Sequence, residues 1–141
     1  MANQAVSTRW DDELVPTASG RTLAPSMDCP VEVALTAISG RWTTLVLRNL
    51  MSGDAYSYTE LAGSLPRLSD KVLTERLQEL VSAGLVARTT IAGFPQRTNY
   101  RVTERGRELR PLLVELYRTG LALQSHDSTA DRRQEDTPAS C

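Results

Sequence analysis

The stretch LSDKVLTERLQELVSAGLV, residues 68–86, carries the clearest pattern in this chain. Ser69 is suited to cap a helix at its N-terminus, and Gly84 lies just beyond a helix end predicted at about Ser82. At about 100° per residue, five apolar residues fall within one half of the helical wheel: Val72, Leu73, Leu77, Leu80 and Val81. The stretch therefore predicts a helix that buries one face.

The opposite half of this helix carries polar residues: Lys71, Thr74, Glu75, Gln78 and Ser82. Arg76 is the exception, because it projects between Val72 and Leu73. Its stem can pack there while its guanidinium reaches outward to a carboxylate or a phosphate. The polar half is either an ordinary solvated surface or a face that reads another molecule, and the neighbouring elements decide between the two.

A short helix and a β-hairpin flank this stretch. Before it, ELAGSL (60–65) predicts a helix that Thr59 caps and Pro66 ends. After it, the runs LVARTTI (85–91) and RTNYRV (97–102) are rich in β-branched residues. The segment AGFPQ joins them, which is typical of a hairpin with a short Gly/Pro loop.

Two further helices are predicted before this region and one after it. The first begins at Pro30 and is closed by Gly40. The second runs over residues 42–51 and is apolar on most sides, which predicts a central position. Thr103 is suited to cap the last helix, and Pro111 should kink that helix near its start.

Short helix, tight turn, longer helix and hairpin is the order of a winged helix-turn-helix, whose second helix enters the major groove of DNA. The predicted fold class is therefore mainly α (α+β), with the hairpin as the wing. Thr74 and Gln78 have the length and chemistry to read base edges, and Lys71 can contact phosphate or base. The predicted DNA contacts are Ser69, Lys71, Thr74, Glu75, Arg76, Gln78, Arg88 and Arg97. A winged helix used only for protein–protein contacts is the alternative.

Charge is distributed unevenly along the 141 residues. The whole chain has 16 basic and 17 acidic residues, yet residues 67–110 have nine basic and five acidic ones, a net charge of +4. A positive middle between acidic ends fits a surface that faces a polyanion. Residues 1–27 are predicted to form a flexible arm, residues 28–124 the folded domain and residues 125–141 a disordered polar tail.

The composition favours a binding protein over an enzyme. His126 is the single histidine and lies in the polar tail, so neither a histidine-based triad nor a clustered metal site can be assembled, and no cofactor is expected. No apolar run approaches the ~18 residues of a membrane span. The N-terminus also lacks the apolar core of a signal peptide, which predicts a cytoplasmic protein. Trp42 and Tyr58 could line a ligand pocket, but core positions are favoured for both.

Three motifs together resemble one protein family. They are CPVEVALTAISGRWTTLVLRNL (29–50), YTELAGSLPRLSDKVLTERLQELVSAGLVART (58–89) and PQRTNYRVTERGREL (95–109). In this order and spacing they are similar to the HxlR-type transcriptional regulators, relatives of the MarR group. The resemblance implies a homodimeric repressor that binds palindromic operators in double-stranded DNA. It also implies that the first and last helices supply the dimer contacts, here Val31, Leu35, Leu112, Leu113, Leu116 and Tyr117.

The same resemblance draws attention to Cys29. In several family members the cysteine directly before this proline senses oxidants, quinones or other electrophiles. A helix N-terminus stabilises a thiolate, whereas the neighbouring Asp28 opposes it. Cys29 is the predicted redox-sensing residue, and Cys141 is predicted to be dispensable. The alternative is a structural Cys29 in a regulator that responds to another small molecule.

Overall fold

The computed structural model describes residues 10–135, with side chains described as far as residue 129. The described chain divides after Thr43 into two units. The first contains a short 3-10 turn at Ala18–Gly20 and helix α1, Pro30–Ile38. Cys29 is the N-cap of α1 and Pro30 is its first residue, so the predicted start and end of this helix are confirmed.

Helix α2, Thr43–Met51, provides the most deeply buried apolar side chains of the second unit. Val46, Leu47 and Leu50 are completely buried, which confirms the prediction of a central helix. Trp42, directly before α2, has a φ of 75°, a left-handed conformation that is uncommon outside glycine.

Helix α3, Tyr58–Ser64, begins earlier than predicted, because Ser57 caps it and not Thr59. The Ser57 hydroxyl accepts a hydrogen bond from the main-chain N–H of Glu60 at 3.1 Å. In return, the Glu60 carboxylate accepts one from the main-chain N–H of Ser57 at 3.0 Å. This reciprocal pair needs a glutamate three residues after the cap, and only Ser57 has one. The predicted Thr59 cap is therefore wrong.

Helix α4 is Asp70–Ser82, which confirms the helix predicted within residues 68–86. The hydroxyl of Ser69 accepts the main-chain N–H of Val72 at 3.3 Å, which caps the helix as predicted. At the other end Gly84 has a φ of 73°. The main-chain N–H groups of Gly84 and Leu85 donate back to the carbonyl oxygens of Val81 and Leu80, respectively, both at 3.0 Å, which is a Schellman motif.

The wing is part of a three-stranded antiparallel sheet. Strand β1 is Tyr56–Ser57, β2 is Val86–Ile91 and β3 is Arg97–Val102, in the order β1–β3–β2. The predicted hairpin is confirmed, with Val86 opposite Val102 and Ile91 opposite Arg97. Strand β1 was not predicted, because two residues carry no periodicity and pair only through the distant β3.

The predicted last helix is two helices. Thr103 caps a short helix, α5, Glu104–Arg107, and α6 follows at Arg110–Glu135, with Pro111 in its first turn. Pro111 thus lies where its missing N–H costs nothing, and the chain turns before it instead of kinking a continuous helix. A Cβ atom at Gly106 would collide with the carbonyl oxygen of Leu85, so α5 approaches the start of β2 too closely for a side chain there.

The predicted disordered tail is wrong between residues 125 and 135, where α6 continues as a helix. Two hydroxyl groups bond within this helix: Ser128 to the carbonyl oxygen of Gln124 at 3.1 Å, and Thr129 to that of Ser125 at 2.9 Å. The described side chains of this extension, at residues 125–129, are all exposed and form no apolar stripe, so the sequence there resembles that of a disordered tail. Residues 136–141 lie outside the described part of the chain. None of the described helices is both long enough and apolar enough to cross a membrane.

Candidate nucleic-acid interface

Helix α4 separates an apolar face from a polar one, as its sequence predicts. Leu73, Leu77 and Leu80 are at most 3% exposed. Three polar side chains one turn apart are exposed on the other side: Lys71, Thr74 and Gln78, which we call the reading face. They offer, in order, an ammonium group, a hydroxyl and an amide, which are suited to phosphates and to base edges.

Tyr58, the first residue of α3, holds the beginning of α4. Its hydroxyl oxygen lies 3.2 Å from the main-chain carbonyl oxygen of Asp70 and 3.1 Å from the carboxylate oxygen Oδ1 of the same residue. It also lies 3.4 Å from the hydroxyl oxygen of Thr74. The first helix of the pair therefore contacts the reading face directly. The sequence favoured a core position for Tyr58, with a ligand pocket as the alternative, and no sequence pattern indicated this contact.

Arg88 lies beside the reading face. It is opposite Tyr100 in the hairpin, on the strand faces that turn towards α4. A recess of about 280 Å³ is lined by residues of α3, α4 and both long strands: Tyr58, Thr74, Gln78, Arg88, Thr98 and Tyr100. The structure thus brings together three of the predicted DNA contacts, Thr74, Gln78 and Arg88.

Arg97 lies on the opposite face of the hairpin. Side chains alternate along a strand, and Arg97 is an odd number of positions from Tyr100, so it shares its face with Arg101 and not with Arg88. It borders a second recess that reaches the beginning of α3, near Ser57. The two arginines predicted for the wing therefore reach different surroundings.

The wing carries positive charge without opposing acids. No aspartate or glutamate occurs between Glu79 and Glu104, whereas Arg88, Arg97 and Arg101 are all exposed there. At the tip Phe94 is fully exposed, a feature that the sequence analysis did not single out. A wing with three exposed arginines and no acidic residue fits contact with a polyanion.

Arg76 is already paired. Its Nη1 atom lies 2.7 Å and 2.9 Å from the two carboxylate oxygens of Glu79, and its side chain is 19% exposed. From the sequence, the partner of Arg76 could be a carboxylate or a phosphate. In the structure it is the carboxylate of Glu79. Ser69 and Glu75, the remaining predicted contacts, are exposed at the beginning and on the side of α4.

Cys29 is buried, with 7% of its surface exposed. Its main-chain N–H donates to the carbonyl oxygen of Ser26 at 3.0 Å, and its own carbonyl oxygen accepts the N–H of Val33. A thiol at this position reacts with a reagent only when the chain around it opens locally. Cys141 lies outside the described residues.

Exposed apolar side chains occur on both helices predicted to form a dimer. In α1, Val31 is 55% and Leu35 is 50% exposed. In α6, Leu116 is 44% and Tyr117 is 62% exposed, and Leu112 is half-buried. Leu113 differs from its predicted place in the dimer interface. At 8% exposure it belongs to the core of its own chain and has little surface left for a partner.

A groove of about 380 Å³ lies in the second unit, between α2 and the first half of α6. Three arginines border it: Arg48, Arg110 and Arg118. The remaining lining residues are mostly apolar: Met51, Ser52, Leu113, Val114 and Tyr117. No sequence pattern indicates this groove, because its residues come from two segments that are almost sixty positions apart.

Residues 37–127 match the family model described as HxlR-like helix-turn-helix. The chain belongs to this family. The HxlR-like protein is therefore a winged helix-turn-helix transcriptional regulator of the DNA-binding, MarR-like type, as the three sequence motifs predicted.

Relatives and solved structures agree with this assignment. The HxlR-like protein is 34% identical over 105 residues to an uncharacterised HTH-type transcriptional regulator of Methanothermobacter thermautotrophicus, covering 74% of this chain and 79% of the relative. It is similar to the redox regulator HypR in its oxidised form, with a TM-score of 0.60, 30% identity, and coverage of 67% and 96%. It is also similar to diamide-treated YodB from B. subtilis, with a TM-score of 0.57, 32% identity, and coverage of 65% and 91%.

Proposed function

We propose that this HxlR-like regulator is a repressor that binds a palindromic DNA operator as a homodimer. The observation that carries the proposal is the exposed reading face of α4, flanked by a wing without acidic residues. Gln78 and Thr74 would contact base edges, and Lys71 would contact phosphate or base. Arg88 lies beside them, and we assign it to the same half-site. A dimer seated on an operator represses by excluding other proteins from that DNA.

The homodimer is supported by the exposed apolar side chains of α1 and α6. Val31, Leu35, Leu116 and Tyr117 each leave more than two-fifths of their surface to solvent in the single chain. Side chains of this kind on two helices are typical of an interface, because their burial is favourable by about 25 cal/mol per Å² of apolar surface. Two copies related by a twofold axis would read two half-sites related by the same axis, hence a palindrome.

The proposal is tested by a gel shift on the DNA upstream of the gene. We expect specific binding that weakens as the salt concentration rises, with random DNA of equal length as the control. Equal binding to both DNAs at every salt concentration would exclude a specific operator. No binding to either DNA would favour a winged helix used for protein contacts. In a reporter strain, deletion of the gene should raise transcription from the bound promoter.

We further propose that Cys29 makes DNA binding sensitive to oxidants or quinones. The similarity to HypR and to YodB, whose structures were obtained in oxidised and diamide-treated forms, supports this assignment. The position of Cys29 directly before the first residue of α1 also supports it. Because α1 carries part of the proposed interface, modification of Cys29 would change the separation of the two reading helices.

The groove in the second unit favours a second candidate, regulation by a small molecule with a structural Cys29. Three arginines beside apolar side chains are suited to a ligand with one anionic group and an apolar body. Benzoate should then raise the melting temperature, whereas neutral benzamide should not. The effect of benzoate should disappear in Arg110→Ala. Equal melting temperatures with and without benzoate, up to millimolar concentrations, would remove this class of ligand.

A further inference from the structure

We infer that Tyr58 determines which hydrogen-bonding role Thr74 presents to DNA, so that Thr74 selects a base with an amino group in the major groove, adenine or cytosine. The inference rests on the proposed function, because it assumes that α4 reads an operator. It adds a specificity rule that involves a residue outside the reading face.

The Tyr58 hydroxyl has a single proton to donate. Three oxygen atoms surround this group: the carbonyl oxygen of Asp70 at 3.2 Å, the Oδ1 atom of Asp70 at 3.1 Å and the hydroxyl oxygen of Thr74 at 3.4 Å. A carbonyl oxygen and a carboxylate oxygen only accept hydrogen bonds. A bond to the charged carboxylate is also stronger than one to a neutral hydroxyl. The Tyr58 proton is therefore directed to Asp70.

The remaining contact then has a fixed direction. Because the Tyr58 hydroxyl donates its hydrogen bond to Asp70, its oxygen can only accept a hydrogen bond from Thr74. The Thr74 hydroxyl is therefore the donor of this contact. At 3.4 Å this bond lies near the outer limit for two oxygens, so its effect is to orient the hydroxyl more than to add stability. The proton of Thr74 points towards α3, and its two lone pairs are left for the solvent side.

A hydroxyl that presents only lone pairs accepts from a donor. In the major groove the donors are the amino groups at N6 of adenine and N4 of cytosine, whereas guanine presents O6 and N7 and thymine presents O4, which are acceptors. Thr74 should accept adenine and cytosine on the strand it contacts and reject guanine and thymine. A preference for amino over keto bases differs from the usual purine or pyrimidine preference, which makes it a recognisable signature.

The test uses the full chain and DNA selected by the wild type from a random-sequence pool. The position read by Thr74 is the one whose preference Thr74→Val removes, since valine keeps the shape and lacks the hydroxyl. In wild type, guanine or thymine at this position should weaken binding by about fivefold or more. In Tyr58→Phe the freed Thr74 hydroxyl can donate as well as accept, so the preference should fall below about twofold, with all other positions unchanged.

A base analogue separates this contact from simple packing. Purine in place of adenine at that position removes only the amino group, and it should weaken binding of wild type but not of Thr74→Val. The inference is overturned if Tyr58→Phe keeps the wild-type preference, or if the position requires guanine or thymine. It is also overturned if the purine analogue binds as well as adenine, because Thr74 would then act through its methyl group. A wild type that selects no sequence at all would overturn the proposed function itself, a distinct result.

Discussion

The Nε atom of Arg105 donates a hydrogen bond to the main-chain carbonyl oxygen of Ala83 at 3.1 Å. The hydroxyl of Thr103 donates to the next carbonyl oxygen, that of Gly84, at 2.6 Å. A helix leaves its last carbonyl groups without internal partners. The Arg105 bond satisfies the carbonyl group of Ala83, the C-cap of α4, and the Thr103 bond holds Gly84 directly after it. The segment after the wing therefore holds the C-terminal end of the helix that carries the reading face.

Gly84→Ala should lower the free energy of unfolding by about 1–2 kcal/mol, because alanine is strained at a φ of 73°. The nearest atom to an added Cβ is Arg105 Cδ at 3.6 Å, so conformation and not collision is the cause. Urea denaturation measures the change. The matched control is Gly63→Ala, an exposed site inside α3 with nothing within 4 Å, which should raise stability by about 0.5–1 kcal/mol. Changes of the same sign in both variants would contradict this account.

Gln78→Ala and Arg97→Ala should affect DNA binding in different ways. Loss of the Gln78 amide should cost about 1–3 kcal/mol on the preferred operator and little on random DNA, because a base contact is lost. Loss of Arg97 should weaken binding to both DNAs about equally, because a backbone contact carries no sequence information. Fluorescence anisotropy with both DNAs measures the two effects. Equal losses on both DNAs in both variants would show that the division of roles is wrong.

Leu116→Glu should convert the proposed homodimer into monomers and abolish operator binding. Its side chain is 44% exposed in the single chain, so a charge there disturbs the proposed interface more than the core. Light scattering gives the mass, and circular dichroism shows whether the fold is kept. Ala122→Glu is the control, since this exposed residue lies about 120° around α6 from Leu116. A folded Leu116→Glu protein that stays dimeric would move the interface elsewhere.

Diamide should release the operator from wild type and from Cys141→Ser, but not from Cys29→Ser. Cys29 caps a helix and is buried, so its modification must shift packed residues, and its reaction should be slower than that of a thiol in the unfolded chain. Gel shifts and thiol titration measure the two effects. Release that persists in Cys29→Ser, or that is absent from wild type, would leave Cys29 as a structural residue.

The sequence predicted those parts of the fold in which local pattern and burial agree. The apolar stripe and the caps of α4 are local signals, and so are the β-branched runs of the hairpin. Strand β1 and the contact of Gly106 with Leu85 depend on segments that are distant in sequence, so no local pattern indicates them. The extension of α6 escaped prediction for another reason, because its described side chains, at residues 125–129, are all exposed and show no apolar periodicity.

In the candidate site, too, only the features with a local sequence pattern could be predicted. The exposure of Lys71, Thr74 and Gln78 could be predicted from the helical wheel, since the buried face fixes the exposed one. The burial of Leu113 could not, because the same apolar stripe of α6 serves both the core and the exposed surface. The hydrogen bonds of Tyr58 depend on the turn between α3 and α4, whose geometry the sequence does not state.

The ion pair between Arg76 and Glu79 determines how many counterions an operator complex releases. Each unpaired cation that neutralises a phosphate frees part of the condensed ion atmosphere of DNA, and log K falls against log salt with a slope of about −0.9 per phosphate. If Lys71, Arg88 and Arg97 each neutralise one phosphate in both copies of the proposed homodimer, six such contacts result, and the slope should be about −5. Arg76, already neutralised by its carboxylate partner at 2.7 Å, adds nothing to this sum. A slope near −7 would indicate two further phosphate contacts, as expected if Arg76 leaves Glu79 for a phosphate in both copies when DNA binds.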